Sequence, residues 1–339
     1  MRERWREVLG EHPESEEVLG LLGGSLAPST AENYGAHVDR FMRWCDAQPD
    51  RPSPLPASTT TVLRWLAADV TVADRVRAGS LQPYLSAINR LHRDLDLDEP
   101  ALGHLVQQFR RGLAHRQADA GRAARRVYLP PDVAERLLLW ALSLRPKALR
   151  DDVVVRRRFR AAVAVVLTLC LFARGGTGSA LGVSHVRRSA AGITVTLDHE
   201  KGKRVAGVAR TVTFPPGAVP GLEELLSRWE MVRDAGGEPS GERCYFAFAD
   251  ERGRFPTTQI DTWLDECLAH LGARPPAGEK WTGHSLRKAA ASGAAACGVA
   301  LHKICYVGGW SIKSKAVFDY IDPTCPHSPA CLRFFGWLR

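Results

Sequence analysis

The sequence lacks the segments that a membrane or exported protein depends on. No apolar run reaches the ~20 residues that cross a bilayer. The longest, "AAVAVVLTLCLFA" from Ala161 to Ala173, is shorter and reads as a buried helix. The opening residues, "MRERWREVLGEHPESEEVL", are charged and contain no apolar stretch, so no signal peptide is expected. The eight cysteines follow no disulfide-like spacing, and all but Cys45 and Cys170 lie beyond residue 240. A reduced intracellular compartment is therefore expected, the nucleus in a eukaryote and the cytoplasm or nucleoid otherwise. Metal-binding pairs are missing too. Cys297, His302, Cys305, Cys325, His327 and Cys331 crowd the C-terminal region, yet no Cys-x2-Cys pairing occurs among them. Buried free thiols are expected there rather than zinc. No internal repeat is visible.

Acid is in short supply. Asp and Glu number 37 against 46 Lys and Arg, giving a net charge of +9 and a pI near 9.3. A basic surplus suits a polyanionic partner, and arginine grips phosphate bidentately. The same surplus could also reflect a general bias toward Ala and Arg. The 45% hydrophobic and 24% charged fractions are ordinary for a soluble globular chain, and 339 residues favour two domains.

Periodicity divides the chain into five parts. Residues 1–20 read as an N-terminal extension and residues 21–111 as an all-helical domain. In the latter, "STAENYGAHVDRFMRWC" places Tyr34, Val38, Phe41, Met42 and Cys45 at helical spacing, with Ser29 or Thr30 available as a cap. Four prolines in "DAQPDRPSPLPAST" end that helix, and "TTVLRWLAADV" and "SLQPYLSAINRLHRDL" read as further helices. Residues 112–126 read as a basic linker or, alternatively, a solvated helix tail. Residues 127–325 form a second, mostly helical domain. Its one change of period is a hairpin, where Ile193, Val195 and Leu197 alternate, Gly202 marks the turn and Val208 and Phe214 return. Residues 326–339 form a tail in which Leu332, Phe334, Phe335, Trp337 and Leu338 crowd a short span. So much apolar area at a chain terminus is expected to dock, either on a neighbouring subunit or in cis.

The second domain holds an ordered array. Arg174 follows the buried apolar run. Lys201 sits at the hairpin tip in "HEKGKR". His284 and Arg287 open a bland helix, "HSLRKAAASGAAACGV", on one shared face. Trp310 follows Arg287 by 23 residues in "VGGWSIKSKAVFDYID", and Tyr320 lies 10 residues further on. This order and spacing resembles the tyrosine recombinases, or phage-integrase family. The phrases "HSLRKAAASGAAACGV" and "GGWSIKSKAVFDYI" look most like the variants in eukaryotic tyrosine-recombinase mobile elements. The resemblance covers most of the chain.

The resemblance implies a SAM-like helical core-binding domain and a mixed α/β catalytic domain closing as a C-shaped clamp on duplex DNA, mainly α with a small β-sheet. It also implies a site-specific recombinase or integrase, tetrameric on DNA, that uses neither cofactor nor metal. Tyr320 would attack the phosphodiester and leave a 3′-phosphotyrosine. Arg174 and Arg287 would clamp the nonbridging oxygens, His284 would handle the tyrosine proton, Lys201 would protonate the leaving 5′-oxygen and Trp310 would pack beside the phosphate. Lys203 is a rival to Lys201. Arg122, Arg125 and Arg126 in the linker, with Lys203 and Arg204 at the hairpin, are the further candidate DNA contacts. The family usually continues Arg-x-Ser-Glu or Arg-x-Ser-Asp after the first arginine. Here "RGGTGSALGV" offers Gly176 and Thr177, so the supporting carboxylate is absent from its usual place. Arg174 could instead cap its helix C-terminus, and His284 or Tyr320 taken singly could be ordinary helix-start and core residues. A non-cutting DNA-binding derivative and a type IB topoisomerase-like enzyme are the alternative functions.

Overall fold

Pro28 opens the first long helix of the computed structural model, which describes residues 10, 12, 14–119, 124–198, 209–235, 243–251 and 255–339. Two compact units emerge, residues 1–123 and 124–339.

The first unit is helical: α1 (Ser15–Gly24), α2 (Pro28–Ala47), α3 (Thr59–Trp65), α4 (Gln82–Arg93) and α5 (His104–Asp119). Helix α2 buries Val38, Phe41 and Cys45 at the expected spacing. Its start differs from the expected cap. Ala27 is the flanking residue, and Ser29 and Thr30 lie inside the helix, because Pro28 supplies the fixed φ that suits a first turn. Phe41 and Trp65 are completely buried, each worth about 2 kcal/mol by area. Asp69 ties α2 to the turn after α3, accepting from Arg40 Nε at 2.7 Å and Trp65 Nε1 at 3.0 Å.

The expected linker is not one element. Residues 112–119 belong to α5, where Leu113 and Gln117 are buried. The Gln117 amide donates to Val76 O at 3.1 Å and accepts from Ala78 N at 2.9 Å, so this stretch is built into the first unit. Beyond it, β1 (Arg125–Arg126) belongs to the second unit and pairs in parallel with β5 (Glu279–Lys280).

The second unit is arranged around one helix. It contains α6 (Pro131–Ser143), α7 (Pro146–Asp151), α8 (Val153–Cys170), α9 (Gly175–Ser179), α10 (Leu222–Asp234), α11 (Gln259–Leu271), α12 (Gly283–Ala296), α13 (Leu301–Gly308) and α14 (Pro329–Phe335). Asp152 caps α8, its Oδ1 accepting from Val154 N at 2.8 Å and Val155 N at 3.1 Å. From Phe159 to Cys170 every residue of α8 is buried, as its unbroken apolar run requires. Helices α6, α10, α11 and α12 pack around it.

The sheet has three antiparallel strands, β2 (Val186–Ser189), β3 (Gly192–Leu197) and β4 (Arg210–Phe214), in that order. Ile193 pairs with Phe214 and Val195 with Val212, so the apolar set shares one face. The hairpin tip, with Gly202 and Val208, lies outside the described residues.

The tail packs in cis. Phe334 and Phe335 are fully buried, Phe335 meets Phe172 edge-on at 5.6 Å, and Arg333 Nε reaches Glu135 Oε1 at 2.5 Å. Phe334, Phe335 and Leu338 thus complete the core of their own unit, while Leu332 stays exposed.

Candidate active site

Helix α12 shows what its small residues are for. Thr282 is extended and starts the helix, with its N–H donating to Ser285 Oγ at 3.0 Å and its carbonyl accepting from Ser285 N at 2.7 Å. Behind this turn, Ala289, Ala290, Ala291, Ser292, Gly293 and Ala294 are all buried. A Cβ at Gly293 would run into the Phe335 ring, so only glycine lets α14 lie this close. Ser292 fixes the opposite end of the site. Its hydroxyl donates to Tyr320 O at 3.1 Å and accepts from Asp322 N at 2.8 Å. One helix therefore presents His284 and Arg287 and also anchors the backbone at Tyr320.

Arg287 is completely buried. Its Nη2 donates to Gly308 O at 2.7 Å and its Nη1 donates to Phe172 O. The Trp310 ring lies over the guanidinium at 3.9 Å and the Tyr320 ring at 5.3 Å. Trp310 reaches this position because Gly309 ends α13 in the left-handed conformation, with φ of 67°, and turns the chain back. A Cβ on Gly308 would collide with the Trp310 ring.

Arg210 makes a parallel set of bonds one residue earlier. From β4 its Nη1 donates to Leu171 O at 3.0 Å and to Val307 O. The two guanidiniums thus fasten the segment before Arg174 to the segment before Trp310.

Around this base sit the more open groups. Tyr320 is half-buried, 5.1 Å from Trp310 and 6.1 Å from His284 between ring centroids. His284 is an exposed residue whose ring is partly covered by Tyr320, lying within 26° of parallel to it. Its pKa is lowered, first by desolvation, then by the fields of Arg126, Arg174 and Arg287, with Asp261 partly offsetting them. Its imidazole is therefore neutral at neutral pH and able to accept a proton. Arg174 is half-buried at the start of α9, and its guanidinium has no hydrogen-bond or ion-pair partner among the described residues.

No protein-family model matches this chain, and no curated protein does. Solved structures do. It is similar to the Tn1549 transposon integrase in complex with transposon right end DNA, at 12% identity, over 88% of this chain and 90% of that one, with a TM-score of 0.59. It is similar also to the XerH site-specific recombinase bound to difH substrate in a pre-cleavage complex, at 11% identity, over 93% of this chain and 81% of that one, with a TM-score of 0.58. The fold is that of the tyrosine recombinases.

On this recombinase fold, four of the six expected catalytic residues, His284, Arg287, Trp310 and Tyr320, stand together, and Arg174 acts electrostatically on His284. Lys201, its rival Lys203, Arg204 and Arg122 lie outside the described residues. Arg125 and Arg126, expected on a linker, are instead on β1 at the rim of the site. Arg125 pairs with Glu279 at 2.6 Å, and the Arg126 charge acts on His284. The parallel pairing with β5 carries them there. All eight cysteines are buried, and none is in a disulfide. Sequence reasoning missed Arg210 and Asp261. A buried-face position in the alternating strand was the available signal for Arg210; Asp261 had none.

Proposed function

We propose that the chain is a tyrosine-type site-specific DNA strand transferase. The observation that carries this reading is the Tyr320 ring set between His284 and the Trp310–Arg287 stack. The Tyr320 oxygen attacks a backbone phosphorus of duplex DNA, forming an O–P bond while the bond to the 5′-oxygen breaks. A 3′-phosphotyrosine and a free 5′-hydroxyl result. Tyrosine ordinarily titrates near pH 10, so its proton must leave during attack, and the neutral His284 imidazole takes it. Lys201 is the proposed acid for the 5′-oxygen, with Lys203 its rival. The reverse reaction with a new 5′-hydroxyl rejoins the strand and needs no nucleotide cofactor, because the covalent intermediate keeps the bond energy.

The arginines divide the electrostatic work. Arg174 meets the nonbridging oxygens directly. Arg287 contributes its field from beneath Trp310, and direct contact with the phosphate requires that ring to move aside. Backbone contacts from Arg126 and the hairpin supply sequence-independent affinity, while base contacts choose the site. Strand exchange on paired sites calls for an assembly of copies, a tetramer in this reading.

A second reading is favoured by the cover over Arg287: a derivative that binds DNA without cutting it. Incubation with a nicked duplex separates the two. Covalent protein–DNA adduct from the wild type, absent in Tyr320→Phe at undiminished DNA affinity, is the expected result. Adduct persisting in Tyr320→Phe moves the nucleophile elsewhere, with exposed Tyr306 the nearest alternative. No adduct from the wild type favours the non-cutting derivative.

A further inference from the structure

The described charges acting on His284 are mostly cationic. Arg126 comes from β1, Arg174 from the turn before α9, and Arg287 from the next turn of α12 itself. The Tyr320 ring lies alongside. Asp261, in the first turn of α11, is the carboxylate among them. Asp265 follows one turn later on α11 and feels Asp261 as a like charge.

Asp261 also does mechanical work. Its Oδ1 accepts the Gly283 N–H at 2.5 Å. That amide belongs to the first turn of α12, where N–H groups have no intrahelical acceptor and the helix dipole favours an anion. The turns carrying His284 and Arg174 run close together at a pair of glycines. A Cβ on Gly283 would stand 3.4 Å from Asp261 Oδ1 and 3.5 Å from Gly175 Cα. Gly175 is the residue after Arg174, and Gly283 is the residue before His284. The two backbones therefore meet one residue from each reactive side chain, and Asp261 fastens the junction. Helix α11, which carries it, packs on α9 as well as α12.

We propose that Asp261 is the positioning carboxylate of this centre: it locks the turn carrying His284 against the turn carrying Arg174, and it places a negative charge among three arginines. The inference rests on the assignment of proton transfer to His284. It assigns the supporting carboxylate to α11, far in sequence from the Gly176–Thr177 stretch that lacks one.

The test uses the full chain with Asp261→Asn, Asp261→Glu and Asp261→Ala. The Asn side chain keeps an oxygen for the Gly283 N–H and loses the charge. Losing a nearby anion makes imidazolium harder to form, so the His284 ring-proton NMR titration in Asp261→Asn is expected to shift by about half a pH unit to lower pH. The rising limb of the adduct-formation pH profile is expected to move with it, and the rate at neutral pH to fall only about twofold, because the imidazole is already neutral there and only its basicity drops. Asp261→Glu is expected to restore the titration but not the full rate, since the longer arm misplaces the junction. Asp261→Ala is expected to lose both. A wild-type His284 titration in Asp261→Asn overturns the proposal. So does a rate loss with an unshifted pH profile, which would mark a purely structural role. If the wild type forms no adduct at any pH, the function fails as read, while the DNA-free titration still decides the Asp261 assignment.

Discussion

Arg174 and Arg287 were expected to act as equals on one phosphate, yet their surroundings are opposite. Arg287 is wholly buried, hydrogen-bonded to two backbone carbonyls and covered by an indole. Arg174 is half-buried and its guanidinium has no partner among the described residues. One arginine is part of the fold, and the other is available to a ligand. Residue type and spacing report what chemistry a position can perform. They do not report whether the group is already committed to its own backbone.

The largest expected effect tests that division directly. Arg287→Ala removes two charge-assisted bonds from the core and should destabilise the protein by about 3 kcal/mol in urea unfolding. Arg174→Ala should change stability by less than about 0.5 kcal/mol, as ordinary surface substitutions do. Both should slow adduct formation by at least ~100-fold. Equal stability losses would erase the contrast between the two arginines.

A smaller effect is expected at the cover. Gly308→Ala forces the Trp310 ring off its seat, because the added methyl occupies the ring's space. A cost of about 1–3 kcal/mol is expected, the usual range for overpacking. The 19F resonance of fluorinated Trp310, assigned by Trp310→Phe, should move toward a solvent-exposed position. An unmoved resonance would mean that the ring does not depend on Gly308.

The smallest effect is a slope with pH. The folded-state pKa of His284 lies below its ordinary value, with desolvation the leading cause. Between the folded and unfolded pKa values the unfolded chain binds more protons, so stability falls as pH drops below about 6.5. Thermal melts between pH 7.5 and 5.5 should show a shallower decline in His284→Ala than in the wild type. Identical declines would place the pH sensitivity at other groups.

The parts legible in the sequence were those whose partners are near in the chain or fixed by spacing. His284 and Arg287 share a helix face, and Tyr320 follows Trp310 closely enough for one turn to join them. The tail's apolar content announced burial, but not which surface would receive it. Arg126 was misplaced because a two-residue parallel strand is too short to show periodicity. Asp261 gave no sign of being a site residue, and Arg210 gave only a buried-face position in β4. Each acts through backbone groups distant in sequence, Gly283 for the first and Leu171 with Val307 for the second. Such bonds leave no pattern until the chain is folded.

The alanine-rich build of α12 has a consequence for how the protein breathes. Alanine and glycine lose no side-chain rotamer freedom on burial, so holding this helix rigid costs only backbone entropy. Its middle is wholly buried, and amides there should exchange with solvent only when the unit opens broadly. Its first turn opens more easily, since its amides depend on partners outside the helix. His284 therefore sits at the boundary between the slow-exchanging and fast-exchanging parts of one helix. Loosening that single turn would shift His284 without disturbing the buried middle of the helix.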